Sequence, residues 1–285
     1  MRLRQSQSAD MGTARERAKE RPVPGSTDQT AGARRGFKGR IAGLFAGRRR
    51  APMLEAGVRV YAVGDIHGCT AELGRLMDAI LSDRADWDGT CHLVFLGDYV
   101  DRGPDSRGTV ERLLAPPAGF EVRYLRGNHE QTLLDFVDDA SLYRGWKDFG
   151  GRETLLSYGV TPPRFDEPSA LEEARLAFRS ALPPSHLAFF HSLPLSLTIG
   201  SYFFAHAGVR PGVVLERQSA EDLMWIRDEF LLSPVDFGKV VVHGHTPTEQ
   251  PVRRANRIGV DTGAYATGLL TAAVLEGETC RFLSS

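Results

Sequence analysis

Five short apolar runs in this 285-residue chain each end in a compact group of glycine, aspartate, asparagine or histidine residues. The groups are residues 64–68 (GDIHG), 97–103 (GDYVDRG), 126–130 (RGNHE), 205–208 (AHAG) and 242–247 (VHGHTP). The runs before them have the β-branched and aromatic content of buried strands. Because ligands of α/β sheets bind beyond the carboxyl ends of strands, this pattern predicts one polar site built from five strand ends.

The segments between the first groups predict alternating strands and helices. Strands are expected at 58–63, 91–96 and 121–125, and helices are expected over 70–81, over 106–114 and from Glu130 to Asp138. Thr70 is the expected N-cap of the first helix. Its apolar positions recur with helical spacing: Leu73, Leu76, Met77, Ile80 and Leu81.

The second half of the chain is expected to change from helices to strands. Residues 139–190 predict helices with loops at 161–168 and 183–184. Further strands are expected at 195–199, 202–205, 240–242, 258–260 and 269–275. The whole order indicates an α/β fold in which helices cover a sheet.

The charge distribution divides the chain into a basic tail and an acidic body. Residues 1–50 carry 13 Lys+Arg against 4 Asp+Glu, a net charge of +9, and residues 51–285 carry 22 against 32, a net charge of −10. We therefore expect a tail over 1–54, disordered because it contains few large apolar residues, and a catalytic domain over 55–285. The near-zero total excludes a protein whose whole surface binds nucleic acid.

One part of the tail carries a different pattern. In residues 33–50, four apolar side chains share one helical face between basic residues: Phe37, Ile41, Leu44 and Phe45. This segment is either a weak contact for an anionic membrane or a partner, or a solvated tail whose four glycines weaken a helix; we favour the second interpretation. No run approaches the ~20 apolar residues of a membrane span, and three cysteines suit a reducing compartment. A cytoplasmic location is expected, and peripheral contact with the membrane surface is the alternative.

The residue types in the five groups predict a metal site. Carboxylate oxygens, an amide oxygen and imidazole nitrogens, with no thiolate, suit a pair of hard or borderline divalent ions. A single Asp-x-His would more often belong to an ordinary loop. Five such groups at successive strand ends are hard to attribute to chance.

The same five blocks, GDIHG, GDYVDRG, RGNHE, HAG and HGHTP, resemble the signature of the phosphoprotein phosphatase family of metallophosphoesterases, in its bacterial and phage-type branch. The resemblance extends from Val58 to Leu275. It implies the calcineurin-like fold, a two-sheet β-sandwich flanked by helices with metals at the carboxyl ends of strands. It implies two divalent ions, with Mn²⁺ expected and Fe or Zn compatible with the ligands. It does not imply a regulatory subunit, because residues 260–265 (VDTGAY) lack the longer eukaryotic motif.

The resemblance also implies a role for individual residues at the metals. Asp98 would bridge both ions. Asp65 and His67 would hold the first ion, and the second ion would be held by Asn128, His206 and His245. His243 competes with His245 for the last place. We choose His245 because it follows glycine and precedes Thr-Pro, so that His243 would orient its neighbours.

The catalytic roles implied by the resemblance concern proton transfer and phosphate binding. His129 would be the general acid with Asp101 as its partner, which agrees with the chemistry of an imidazolium beside a carboxylate. Arg102, Asn128 and Arg227 would contact the substrate phosphate, with Arg126 an alternative for the second arginine. A hydroxide bridging the two ions would attack phosphorus directly.

The expected activity is that of a serine/threonine protein phosphatase acting on phosphorylated proteins or peptides. The alternative is a symmetrical diadenosine-tetraphosphate hydrolase or another nucleotide phosphoesterase of the superfamily, and a third interpretation is a vestigial binding module. GDIHG and DYVDRG favour the first interpretation, because the blocks of the second class usually differ at these positions.

Two rival phosphatase patterns receive structural interpretations. Residues 69–75 match C-x5-R, but Leu73 within them and Leu76 directly after them belong to the apolar face of the predicted first helix. Residues 86–90 match D-x-D-x-T, but no apolar strand precedes them. Trp146 is interpreted as a packing aromatic, and His186 and His191 as structural or exposed residues.

Overall fold

The computed structural model describes residues 52–285, so residues 1–51, which include most of the expected tail and the whole segment 33–50, lie outside it. Five strands form the first sheet: β1 (Val58–Val63), β2 (Thr90–Phe95), β3 (Glu121–Tyr124), β9 (Thr271–Glu276) and β10 (Thr279–Ser284). Their order is β10-β9-β1-β2-β3. The three strands β1, β2 and β3 run parallel, and β9 and β10 are antiparallel to their neighbours.

The second sheet also contains five strands: β4 (Ser196–Ile199), β5 (Tyr202–Ala205), β6 (Val240–His243), β7 (Val252–Arg253) and β8 (Arg257–Gly259). Their order is β4-β5-β6-β8-β7. The central strands β5, β6 and β8 are parallel, and antiparallel strands occupy both edges. Each sheet therefore has three parallel strands whose carboxyl ends share one edge.

Helices connect and cover the strands. They are α1 (Thr70–Arg84), α2 (Ser106–Leu113), α3 (Asn128–Asp138), α4 (Tyr143–Trp146), α5 (Gly151–Ser157), α6 (Pro168–Ala181), α7 (Pro184–Ser192), α8 (Ala220–Trp225), α9 (Asp228–Leu231) and α10 (Ala264–Thr267). Three short 3-10 turns lie at Ala140–Leu142, Lys147–Phe149 and Leu215–Arg217.

Alternation of side chains along the strands explains why the sheets stack. In β1, Val60 and Ala62 belong to an apolar cluster that also contains Phe204 and Val242 of the second sheet. The intervening Tyr61 and Val63 point to the opposite face, where the helices pack. Because successive side chains of a strand alternate between its faces, β1 contributes to two cores at once, and the sheets form a sandwich.

The outer face of each sheet is covered by helices. The first sheet carries a large cluster that includes residues of α1, α3, α6 and α7. The second sheet packs Phe203 and Val241 against Leu223, Ile226 and Phe230 of the region around α8 and α9. The expectation of an α/β sandwich flanked by helices is confirmed.

Several predicted boundaries differ from the structure. Helix α3 begins at Asn128 rather than Glu130, because Gly127 is the N-cap and the side chain of Glu130 reaches back to accept a hydrogen bond from the Gly127 N–H. Thr70 is the first residue of α1 rather than its cap, and Cys69 is the N-cap. Leu81, expected in the core, is exposed.

Other boundaries were missed for reasons of context. Pro168 and Pro184 begin α6 and α7, where their missing N–H costs nothing, instead of ending loops. Strands β7 and β10 were not predicted; β7 contains only two residues, and β10 is an edge strand after the tight turn at Gly277. Leu54, assigned to the tail, is buried between the sheets.

Within residues 52–285, no helix is long and apolar enough to span a bilayer.

The intersheet core is a testable source of stability. Replacing the fully buried Phe204 by alanine should lower the free energy of unfolding by about 3–5 kcal/mol, since it removes apolar contacts and leaves a cavity. Phe165→Ala is the matched control, because this ring is exposed and should change stability by about 0.5 kcal/mol or less. Urea unfolding followed by circular dichroism measures both, and equal losses would contradict the sandwich core.

Candidate metal centre

Two groups of potential metal ligands share one carboxylate. Side-chain ligand atoms of His67, Asp98 and His129 lie within 4.8 Å of one another, and so do those of Asp98, His206 and His245. All five side chains are buried, although they come from different strand ends. Asp98 stands between the two groups, where the sequence analysis expects a bridging ligand.

The hydrogen bonds of His206 fix the lone pair that it presents to this centre. Its Nδ1 lies 3.0 Å from the carbonyl oxygen of Leu96 and must donate a proton to it. In the neutral ring, Nε2 then carries a lone pair. That lone pair faces Asn128 Oδ1 at 2.9 Å and Asp98 Oδ2 at 3.3 Å. Three electron-rich atoms in contact require a cation or a proton between them.

His67 repeats this arrangement on the other side of Asp98. Its Nδ1 donates to the carbonyl oxygen of Val100 at 2.8 Å, and its buried Nε2 has no hydrogen-bond partner but lies 3.6 Å from Asp98 Oδ2. Burial, with the nearby charge of His129, lowers the pKa of His67 to about 3. A neutral imidazole whose inward-facing nitrogen has no hydrogen-bond partner can donate that lone pair to a metal ion.

The ring of His245 completes the second group. Its Nδ1 lies 3.1 Å from His206 Nε2, and its own Nε2 is buried without a partner. Burial first, then the charge of His206, lowers the pKa of His245 to about 2. Unpaired buried nitrogens on both sides of an ionised carboxylate therefore fit two divalent cations.

Asp65 is placed beside the two groups rather than within either. Both oxygens of its carboxylate accept the backbone N–H of His245, at 3.1 and 3.0 Å. The carboxyl group of Asp261, which the sequence analysis missed, lies close enough to Asp65 for their charges to interact. Burial and the charges of Asp261 and Asp98 raise the pKa of Asp65 well above its usual range. Residues 261–263 (Asp-Thr-Gly) follow a strand in the same way as the five groups, and that signal could have found Asp261.

A second missed residue holds the backbone of Asp98 in place. The buried carboxylate of Glu130 accepts the N–H groups of Asp98 at 2.8 Å, Tyr99 at 2.7 Å and Gly127 at 3.0 Å. It thereby connects the ends of β2 and β3. Glu130 is the last residue of the RGNHE block, so the sequence analysis included its position. Only the fold shows which backbone N–H groups its carboxylate accepts.

The proposed proton donor is paired as expected. His129 Nδ1 lies 2.7 Å from Asp101 Oδ2, and both side chains are buried. Trp146 Nε1 donates to the same oxygen at 2.7 Å, and Thr154 donates to Oδ1 at 2.6 Å. Burial alone would lower the pKa of His129, but the Asp98 charge and the Asp101 hydrogen bond raise it above its ordinary value. Trp146 is therefore more than a packing residue.

The three arginines expected near phosphate separate into two kinds. Arg102 places Nη2 3.3 Å from His129 Nε2, and Arg227 donates from Nη1 to the carbonyl oxygen of His245 at 3.2 Å. Both therefore lie at the rim of the centre. Arg126 instead bonds Gln131 and the carbonyl oxygens of Phe190 and His191, which is a structural role.

His243 does not join the centre. It is buried, but its ring packs edge-on against Phe230 at 5.0 Å, and its Nδ1 faces the carbonyl oxygen of Gly244. The geometry therefore groups His245, and not His243, with Asp98 and His206.

The rival motifs have no catalytic geometry. Cys69 is the buried N-cap of α1, and burial raises the pKa of its thiol to about 11, so that it stays protonated. Asp86 precedes β2, whose first residue is Thr90, so the aspartate does not end a strand.

The backbone around the centre is strained. In the described part of the chain, five non-glycine residues have positive φ: His67, Asp98, Asp101, Arg102 and His245. All five belong to the predicted site. Such conformations are costly and concentrate at functional sites, which agrees with a centre whose side chains are held in place by the surrounding structure.

Comparison with known proteins identifies the family. The sequence profile of the calcineurin-like phosphoesterases matches residues 58–269, which include every strand end of the centre. The chain belongs to the calcineurin-like phosphoesterase family. It is thus a metallophosphoesterase, a phosphoester-hydrolysing enzyme of a family that uses divalent metal ions.

Two relatives of this metallophosphoesterase carry names with different activities. It is 29% identical over 247 residues to an asymmetrical bis(5′-nucleosyl)-tetraphosphatase, PrpE, of Geobacillus sp. (strain WCH70), covering 75% of this chain and 89% of the relative. It is 30% identical over 226 residues to serine/threonine-protein phosphatase 1 of Salmonella typhimurium, covering 76% and 92%.

Solved structures support the fold. A structure provisionally described as a diadenosine tetraphosphatase superimposes with a TM-score of 0.55 at 23% identity, covering 81% of this metallophosphoesterase and 99% of that chain. A cold-active protein-tyrosine phosphatase of Shewanella sp. gives a TM-score of 0.51 at 17% identity, covering 82% and 84%.

Two histidine substitutions separate the candidate ligands. His245→Gln should weaken Mn²⁺ binding more than the about 10- to 100-fold typical of outer-shell partners, because it removes a direct donor. His243→Gln, the matched control two residues earlier at the end of β6, should bind Mn²⁺ nearly as the unaltered protein does. Isothermal titration calorimetry of metal-stripped protein measures both affinities. The reverse order of effects would make His243 the ligand.

Proposed function

We propose that this metallophosphoesterase hydrolyses phosphomonoesters, with phosphorylated serine or threonine residues of proteins as its substrates. The observation that carries the proposal is the buried pair of His129 and Asp101, joined at 2.7 Å beside the shared carboxylate. The aspartate accepts from Nδ1 and leaves Nε2 facing the centre, where it can donate a proton.

The leaving group explains why this pair matters. A serine or threonine alkoxide is a strong base and leaves readily only when it is protonated in the transition state. The terminal phosphates of a nucleotide are weak bases and need a proton much less. A buried acid with its own fixed carboxylate therefore favours phosphomonoesters over phosphoanhydrides.

The remaining residues receive roles from their positions. We assign Asp65, His67, Asp98, Asn128, His206 and His245 to the two divalent ions. When bound, these ions supply charge stabilisation and a nucleophile derived from water at neutral pH. Arg102, which lies beside His129, and Arg227, which lies beside His245, would bind phosphate oxygens with paired N–H donors. Asn128 would contact the phosphate as well as a metal.

A second candidate function rests on the relatives. The tetraphosphatase of Geobacillus covers the body of this chain as fully as the protein phosphatase of Salmonella does. Hydrolysis of bis(5′-nucleosyl) tetraphosphates is therefore the alternative activity. A vestigial binding module is disfavoured, because every expected ligand position is filled. Contact of residues 33–50 with an anionic membrane or a partner stays a separate proposal.

A substrate panel tests the proposal. Metal-stripped protein reloaded with Mn²⁺ should release phosphate from 4-nitrophenyl phosphate and from a phosphoserine peptide, and EDTA should abolish both reactions. Hydrolysis of diadenosine tetraphosphate should be slower, as judged by kcat/KM. A preference for the dinucleotide would establish the alternative activity, and turnover that survives the chelator would overturn both.

The general acid is tested by varying the leaving group. His129→Ala should lower kcat by about 10²- to 10⁴-fold for phenyl phosphate, whose leaving group needs a proton. The loss should be much smaller for 2,4-dinitrophenyl phosphate, which leaves without one. Asp101→Asn should lower kcat for the two substrates in the same order, but by smaller factors than His129→Ala does. His191→Ala is the control, because this exposed histidine lies outside the centre; equal losses on both substrates would contradict the assignment of His129.

A further inference from the structure

The guanidinium of Arg102 rests on an aromatic ring. Its central carbon lies 4.7 Å from the ring centroid of Tyr265, and its Nη2 lies 3.3 Å from His129 Nε2. The backbone of Arg102 has a φ of 67°, and its N–H faces the carbonyl oxygen of Gly150 at 3.4 Å. The strained backbone and the ring together determine where this side chain points.

The nature of this support has a chemical consequence. Throughout residues 52–285, no carboxylate lies within 4.0 Å of the Arg102 nitrogens. A carboxylate would hold the guanidinium but would occupy the N–H donors that a phosphate needs. The face of an aromatic ring attracts the cation without accepting its in-plane hydrogen bonds.

Tyr265 is itself held firmly. It lies in the single turn α10, which is bounded by Gly263 and Gly268 with φ of 65° and 70°. The N–H of Gly263 donates to Asp261 Oδ1 at 2.8 Å, and the ring of Tyr265 meets His67 at right angles with centroids 5.4 Å apart. The ring is 41% exposed, so it forms part of the rim of the centre.

We propose that Tyr265 is a positioning residue that holds Arg102 in the orientation required to bind the substrate phosphate. The ring keeps the guanidinium beside His129 before substrate arrives and does not itself occupy any of its N–H donors. The inference rests on the proposed function for its substrate, a phosphate ester. The π face of the ring, and not its hydroxyl group, carries the effect.

Three variants test this positioning role. Tyr265→Phe keeps the ring, and Tyr265→Leu keeps apolar bulk but removes the π face. With 4-nitrophenyl phosphate and Mn²⁺, Tyr265→Phe should stay within about twofold of the unaltered enzyme. Tyr265→Leu should raise KM, and the inhibition constant of inorganic phosphate, by about 5- to 30-fold, as expected from a cation–π contact of partly desolvated groups. Its kcat should change less than its KM.

The third variant, Arg102→Ala, identifies the route of the effect. If Tyr265 acts through Arg102, then Tyr265→Leu should cause no further loss in the Arg102→Ala protein. Additive losses would overturn the proposal, and so would an equal defect in Tyr265→Phe, which would assign the effect to the hydroxyl. Urea unfolding midpoints close to that of the unaltered protein are expected for both tyrosine variants, and a large fall for Tyr265→Leu alone would indicate a structural role instead.

Calorimetric titration of the Mn²⁺-loaded proteins with inorganic phosphate measures phosphate affinity directly. It therefore tests the role of Tyr265 independently of whether the protein hydrolyses the esters. A protein that binds phosphate but hydrolyses none of the esters would refute the proposed function. The order of phosphate affinities, with the unaltered protein and Tyr265→Phe above Tyr265→Leu, would still decide the positioning role.

Discussion

The carboxylate of Glu130 is the contact on which the rest of the centre depends. It lies at the start of α3 and accepts backbone N–H groups from the ends of β2 and β3, which sets the distance between Asp98 and the Asn128–His129 turn. Asp98 in turn contacts the backbone N–H of His129 and faces the rings of His67 and His206. A buried carboxylate with satisfied donors is rigid, so one side chain holds ligands from separate strands in a common frame.

The sequence predicts the part of this centre that lies at strand ends. Asp98 and His206 each follow an apolar run, and parallel strands bring such positions to one edge, so their meeting could be foreseen. Glu130 and Trp146 could not be assigned in the same way. Their contacts join residues 32 and 45 positions apart, and neither residue type is diagnostic of a supporting role. Asp261 is intermediate, because its strand end was predicted but its proximity to Asp65 depends on how the two sheets stack.

The same distinction applies to the fold. The β-branched and aromatic run of β1 and the order of strands and helices predict an α/β fold in which helices cover a sheet. The family resemblance implies a two-sheet sandwich, and the structure has one. The start of α3 was displaced because the hydrogen bond from the Gly127 N–H to the Glu130 side chain extends the helix over residues that the local pattern assigns to a loop. That displacement bears on the proposed function, since it places Asn128 and His129 on the first turn of a helix. The leaving-group argument for phosphomonoesters depends on this placement, because a proton donor must be held close to its acceptor.

Asp101 receives hydrogen bonds from Trp146 and Thr154, which lie in the helical segment between β3 and β4 rather than at a strand end. That segment therefore does more than cover the first sheet, because it sets the environment of Asp101 and, through it, of His129, the proposed general acid. Related enzymes that share the strand ends but differ in this segment would keep the same metal ligands while changing the strength of the proton donor. Divergence between phosphomonoester and phosphoanhydride chemistry could then arise by altering helices far from the metals in sequence, with no ligand replaced.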